Sequence, residues 1–400
     1  AFGLGEQYEK KLIVTYSELK AKEIFEEYKL FGKEVYLYPA KDFIFFNADI
    51  KSNLLVKKRM SAIKTLLEEE KVTFITTIDG LMDSLIPLDV IRNSVIEITE
   101  ESTIEVEKLT KQLFSMGYEK TGQVESAGQF AVRGGIIDIF PLTEENPYRI
   151  ELWDEEVDSI RSFEAEGQRS IENVAGVRIY PASELIITEE CKEQGLKKIK
   201  AEAKECYDAL RAQMKTEEAH RITRHMEELE DELLVLGCAS ADSHIKSFYD
   251  NTVSLLSYFL ELNAENANGT IVFLDEPNRV SEKGNVVETE FRESMLHRIE
   301  KGYMLPSQAE IMYGFSEVMA MIEKCNTVAI STLEPTHTGY KVNGKYNLTV
   351  RNISSYNNSF ELLVKELKNY RKNGYKVLLL SASRLRGQRL VGDLINEEIP

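Results

Sequence analysis

The apolar run Ile271-Val272-Phe273-Leu274 ends in Asp275-Glu276-Pro277. In a nucleotide hydrolase an aspartate at the end of such a strand holds Mg²⁺, and the glutamate beside it polarises water, as in a Walker B strand. Strands ending in two acids also occur where no nucleotide binds, so a second motif decides the chemistry. That motif is GxxxxGK[ST], whose backbone amides and lysine cradle the phosphates. It does not occur in the 400 residues; Gly3-Leu4-Gly5 and Gly32-Lys33-Glu34 come nearest, and both have the wrong spacing. Neither GxSxG nor HExxH occurs, and the Asp/Glu pairs are too many to single out an acid and a base. The expectation is a chain without catalytic residues or a cofactor of its own.

A second constellation is Gly128-Gln129-Phe130-Ala131-Val132-Arg133-Gly134-Gly135-Ile136-Ile137-Asp138-Ile139-Phe140-Pro141, continued by Pro147-Tyr148-Arg149-Ile150-Glu151-Leu152-Trp153-Asp154. Strand alternation from Tyr148 places Tyr148, Ile150 and Leu152 on one face and Arg149, Glu151 and Trp153 on the other. The apolar face belongs in a core. The single tryptophan of the chain then lies on the polar face beside an arginine, and these two residue types are enriched in protein–protein hot spots. Trp153 either anchors a partner or caps the edge of the core. Arg133, next to two glycines that let backbone approach closely, either joins the same patch or serves the fold.

The charge balance limits what such a patch can bind. The formal net charge is −18, and Glu227-Glu228-Leu229-Glu230-Asp231-Glu232 repels phosphate if it is more than a solvated helix face. Strong autonomous DNA binding needs a basic stripe, so it is not expected. The four cysteines (Cys191, Cys206, Cys238, Cys325) contain no CxxC pair, and the five histidines (His220, His225, His244, His297, His337) are scattered. His220 and His225 miss the i, i+4 spacing of two ligands on one helical face, so no metal site is expected. No run approaches the roughly 18 apolar residues of a membrane span, and no signal-peptide pattern opens the chain. A cytoplasmic protein without membrane contact is the expectation.

The elements that position these residues follow from periodicity. A chain of 400 residues implies about two to four domains. Residues 1–93 alternate apolar runs (Lys11 to Tyr16, Glu34 to Tyr38, Val72 to Ile78) with amphipathic helices (Glu18 to Phe31, Asn53 to Glu70), as a parallel α/β sheet does. Residues 94–182 carry short β runs broken by Gly and Pro, with one helix near Ser102 to Met116, which predicts a small antiparallel β domain. Residues 183–348 return to long helices (Glu189 to Leu210, Thr216 to Leu236) and buried-type strands (Thr270 to Leu274, Asn326 to Ser331), so the β domain reads as an insertion into one sheet. Residues 349–400 give a helix from Ser359 to Asn373, a Gly374 stop, a strand from Tyr375 to Leu380 and a helix from Arg386 to Glu397. One strand makes no sheet, so a further small α/β domain is expected to be cut short, and the opening at Ala1-Phe2-Gly3 suggests a missing earlier strand.

The stretch from Phe130 to Arg169, with Arg133-Gly134-Gly135, Asp138-Ile139-Phe140-Pro141, Arg149-Ile150-Glu151 and Asp158-Ser159-Ile160-Arg161-Ser162-Phe163, closely resembles the N-terminal region of bacterial transcription-repair coupling factors, which is homologous to the excision-repair protein UvrB. Gln168-Arg169-Ser170, Tyr180-Pro181-Ala182 and Ser383-Arg384-Leu385-Arg386-Gly387-Gln388-Arg389-Leu390 favour the coupling factor over UvrB. The resemblance implies a degenerate UvrB-like helicase core around a β domain that recruits UvrA, with contact positions at Arg133, Arg149 and Trp153. Relatives usually carry phenylalanine at the third position, so Trp153 keeps an aromatic anchor of different shape. Asp275 and Glu276 resemble a decayed Walker B, and Ile330-Ser331-Thr332-Leu333 a decayed coupling motif. The resemblance also implies packing against distal domains of the same protein, with ATP-driven DNA translocation and RNA-polymerase binding beyond Pro400. The alternative is a UvrB-type nucleotide-dependent repair helicase whose phosphate loop lies upstream of Ala1.

Overall fold

The computed structural model of the chain describes residues 1–32, 34–41, 53–235, 241–262, 269–333, 342–349, 356 and 359–399. Cys238 and His337 lie outside the described residues. Two compact units, Ala1–Tyr340 and Lys341–Pro400, make up the chain. Among the described residues no helix is long and apolar enough to cross a membrane.

The first unit begins with three strands, β1 (Lys10–Thr15), β2 (Val35–Leu37) and β3 (Val72–Thr77). The connecting helices are Glu18–Tyr28, capped where Ser17 accepts from the Lys20 amide, and Asn53–Glu68. Eight short strands follow: β4 (Ile96–Thr99), β5 (Glu119–Lys120), β6 (Gln129–Arg133), β7 (Ile136–Ile139), β8 (Tyr148–Trp153), β9 (Glu156–Phe163), β10 (Ser170–Asn173) and β11 (Gly176–Ile179). The helices Glu189–Ala212 and Thr216–Val235 lead to β12 (Thr270–Asp275) and β13 (Asn326–Ile330).

Strands β12 and β13 return to the first sheet, whose order is β13-β12-β1-β3-β2, all parallel. The β-rich segment is therefore an insertion between β3 and β12. The inner parallel strands are buried on both faces and read as continuous apolar runs, whereas β13, expected from its sequence to be buried, is an edge strand with Asn326, Thr327, Ala329 and Ile330 exposed. Leu12, Val14, Val72, Phe74, Val272 and Leu274 point into one core, and Ile13, Ile75, Ile271 and Phe273 into the other.

The insertion forms a sheet of order β10-β9-β8-β7-β6-β5, antiparallel except where β5 meets β6, and β4 pairs with β11 in a second small sheet. One face of the larger sheet contributes Phe130, Ile137, Ile139, Ile150 and Ile160 to a core shared with Leu109 and Leu113 of the helix Val106–Ser115. Its alternation sends Arg133, Asp138, Arg149, Glu151 and Trp153 to the other face.

The second unit contains the helices Phe360–Lys372 and Arg384–Asn396, each capped by the hydroxyl of a preceding serine, Ser359 or Ser383. Val364, Leu367, Leu394 and Ile399 form its core. The run Tyr375 to Leu380 expected as a strand forms none, and Tyr375, Leu378 and Leu380 are exposed. A strand exists only through ladder hydrogen bonds to a neighbour, and no second strand stands beside this run among the described residues.

Candidate docking site

Two arginines of the insertion, Arg133 and Arg149, are organised by Asp138, a fully buried carboxylate on β7. Register places Asp138 opposite Ala131 on β6 and Arg149 on β8. Arg149 grips it with a fork, Nε to Oδ1 at 2.6 Å and Nη2 to Oδ2 at 2.8 Å. Arg133, two residues beyond Ala131, reaches Oδ2 of the same carboxylate through Nη2. A buried carboxylate is stable only when paired and fully hydrogen-bonded, and the bidentate guanidinium geometry supplies this. Those bonds push the Arg149 pKa further up.

Arg149 is held from two more sides. Its guanidinium lies 4.4 Å from the centre of the Phe163 ring, and Nη2 donates to Gln168 Oε1 at 3.0 Å. Gln168, with a positive φ of 52°, is tied in turn to the carbonyls of Ala165 at 2.8 Å and Val124 at 3.3 Å. The Arg149 side chain is 14% exposed and that of Arg133 is 42% exposed. Arg149 thus shows an edge, whereas Arg133 shows most of a head.

Two hairpins shape the rim. Between β6 and β7, Gly134 takes φ 61°, and a Cβ at Gly135 would stand 2.9 Å from the Leu152 carbonyl. Glycine at both positions therefore lets β7 run close beside β8, where the Leu152 amide donates to Gly135 O at 2.7 Å. Between β8 and β9, Asp154 takes φ 60° directly after Trp153. Trp153 pairs with Glu156 across this hairpin and is 80% exposed. The ring does not cap the core; it stands in solvent on the face of the arginines, with the Arg161–Glu151 ion pair between them along the strands.

Sequence reasoning named Arg133, Arg149 and Trp153 but gave no role to Asp138, Phe163 or Gln168. Asp138 stood within the quoted Asp138-Ile139-Phe140-Pro141 motif, and its alternation with buried Ile137 and Ile139 was the available signal.

The acidic pair sits elsewhere, at the carboxyl ends of the parallel strands. The connection from β1 runs to β2 on one side and that from β12 runs to β13 on the other, so the crevice between β1 and β12 is the topological switch point where such sheets bind ligands. There Asp275 Oδ2 accepts from Thr15 Oγ1 at 2.9 Å, and burial raises the pKa of Asp275. Glu276, at φ 53°, accepts from the Thr332 amide at 2.8 Å and from the Thr332 hydroxyl. Both carboxylates are thus engaged by neighbouring strand ends, and Glu276 meets the segment Ile330-Ser331-Thr332-Leu333. Among the described residues no group of three or more acids, histidines or cysteines could hold a metal ion.

A buried ion network also escaped sequence reasoning. Arg59, fully buried on the helix Asn53–Glu68, pairs with Asp83 and Glu184 and donates to Pro39 O at 2.8 Å. Lys41 Nζ joins at 2.8 Å from Glu184, and the Arg59 guanidinium lies 4.4 Å from the Tyr38 ring centre. The paired cations hold the Glu184 carboxyl down at about 2 despite burial. Glu184 lies five residues beyond the end of β11, so this network anchors the return of the insertion to the parallel-sheet core.

Residues 96–185 match the family model described as the UvrB interaction domain. Almost the whole chain is similar to a transcription-repair-coupling factor of Bacillus subtilis (strain 168), with 29% identity over 392 residues, 97% of this chain and 32% of that protein. The coupling factor of Staphylococcus haemolyticus (strain JCSC1435) is 27% identical over 373 residues, 92% of this chain and 30% of its own. The likeness is to the N-terminal region of transcription-repair-coupling factors. The chain spans about a third of the length of these coupling factors. Asp138, the two arginines it holds and Trp153 lie inside the matched UvrB interaction domain, whereas Asp275 and Glu276 lie outside it.

Proposed function

We propose that this chain is a non-catalytic docking module that recruits the UvrA subunit of nucleotide excision repair to stalled transcription sites. The observation that carries the reading is Trp153, 80% exposed on the same sheet face as two arginines pre-set on one buried carboxylate. Tryptophan and arginine on one exposed face are the residue types enriched in protein–protein hot spots. Arginines already ordered lose less rotamer entropy on binding. Arg133, Arg149 and Trp153 form the contact surface. The setting is a cytoplasmic repair factor whose distal domains pack against this module and mask the surface until DNA-bound translocation begins. Contacts with DNA and RNA polymerase, and ATP hydrolysis, belong to those distal regions.

The discriminating experiment compares UvrA binding by this chain and by the intact protein, with UvrB added as competitor. Tighter binding by the chain, displaced by UvrB, supports recruitment and masking. Equal binding removes the masking, and binding that UvrB leaves untouched removes the shared UvrA surface.

A second reading, a UvrB-type nucleotide-dependent helicase, draws on the acidic pair at the switch point. It is weaker because Asp275 and Glu276 already spend lone pairs on Thr15 and Thr332. Saturable ATP binding by the full N-terminal region would restore it.

A further inference from the structure

We infer that Asp138 is the positioning residue of the docking surface: buried and unable to touch a partner, it holds Arg133 and Arg149 in the geometry in which they bind. This rests on the docking reading above.

The arrangement is specific. The carboxylate lies between the two arginine-bearing strands, on β7 with β6 on one side and β8 on the other. Each of its oxygens receives a guanidinium nitrogen from Arg149, and Oδ2 takes a second from Arg133. Two guanidinium groups on one carboxylate leave one net positive charge on the cluster. Without Asp138 the same two cations would repel each other in a partly desolvated site. They would separate into solvent, where an unanchored arginine samples many rotamers and loses its fork geometry. Phe163 and Gln168 steady Arg149, and Asp138 is the carboxylate that both arginines share. Arg161 is paired separately with Glu151, which keeps the neighbouring cation from competing for Asp138.

Two readouts on the 400-residue chain test this. The first is the rate at which phenylglyoxal modifies Arg133 and Arg149, mapped by mass spectrometry and independent of any partner. The second is affinity for purified UvrA. Asp138→Asn is nearly isosteric, yet offers one acceptor oxygen where the carboxylate offers two. It is expected to raise the modification rate of Arg149 several-fold and to weaken UvrA binding about tenfold or more, the scale of a hot-spot loss. In an Arg133→Met/Arg149→Met background, Asp138→Asn should change binding less than about twofold, because the groups through which it acts are gone. Unchanged labelling overturns the positioning role whatever the binding shows. Altered labelling with wild-type affinity overturns its bearing on docking. A wild-type chain that does not bind UvrA at all overturns the docking reading and this inference together, and the labelling shows separately whether Asp138 orders the arginines. Should Asp138→Asn not fold, Arg149→Lys keeps the charge and removes the fork; docking at wild-type strength by that variant overturns the inference.

Discussion

His244 should add to the acid sensitivity of the parallel-sheet unit. It is 1% exposed, and neither ring nitrogen meets a hydrogen-bond partner among the described residues. Burial, with the His225 ring stacked at 6.0 Å, pulls its pKa from the usual 6.5 down to about 3. The lowered value fixes the sign. Below pH 6.5 the unfolded chain binds a proton that the folded protein refuses until about pH 3, so stability falls as pH falls through that window. Averaged between pH 7 and pH 5, the unfolded state holds about 0.7 of a proton that the folded state lacks. At 1.36 kcal/mol per pH unit this removes about 2 kcal/mol. His244→Leu fills a similar volume with a group that does not titrate. Urea denaturation followed by circular dichroism at pH 7, 6 and 5 should show the wild type losing about 2 kcal/mol more than the variant across that range. Parallel losses in the two proteins would refute the reasoning, because they would mean that His244 takes its proton equally well folded and unfolded.

Arg59→Met leaves Asp83 and Glu184 with Lys41 as their one remaining cation among the described residues, and should cost about 3–5 kcal/mol in denaturant unfolding at neutral pH. A cost under about 1 kcal/mol would mean that the network is solvated. Gly302 takes φ 69°, and a Cβ there would stand 2.3 Å from the Glu218 carbonyl; Gly302→Ala should cost about 2 kcal/mol, read as a lowered Tm. Glu276→Ala removes both bonds to Thr332 and should destabilise by about 1–2 kcal/mol without altering Mg²⁺ binding, which isothermal calorimetry would check.

The parallel sheet was legible because strands buried on both faces are centred on apolar runs, as Leu12 to Val14, Phe74-Ile75 and Ile271 to Leu274 are. The return of β12 and β13 to the first sheet followed from the change of texture between residues 94 and 182. Trp153 was legible as a surface residue because period-two alternation fixes its face. The state of Arg149 was not, since its anchoring depends on the register of β7 against β8 and on Gln168, nineteen positions away. Arg59 sits in Lys57-Lys58-Arg59, which reads as a solvated helix face; its burial comes from Asp83 and Glu184, brought together only by the tertiary fold. His225 and His244 were read as scattered for the same reason. The run Tyr375 to Leu380 shows the opposite error, because apolar character supplies a strand's side chains without supplying its neighbour.

The central claim is tested most directly by the affinity of this chain for purified UvrA, measured for the wild type, Arg149→Ala and Trp153→Ala with Tm recorded for each. Trp153 is exposed enough that its removal should leave Tm nearly unchanged while weakening binding by about 1–3 kcal/mol, and Arg149→Ala should weaken it by a similar amount. Equal binding by all three, or none by the wild type, would contradict the account and leave the arginine cluster a feature of the fold alone.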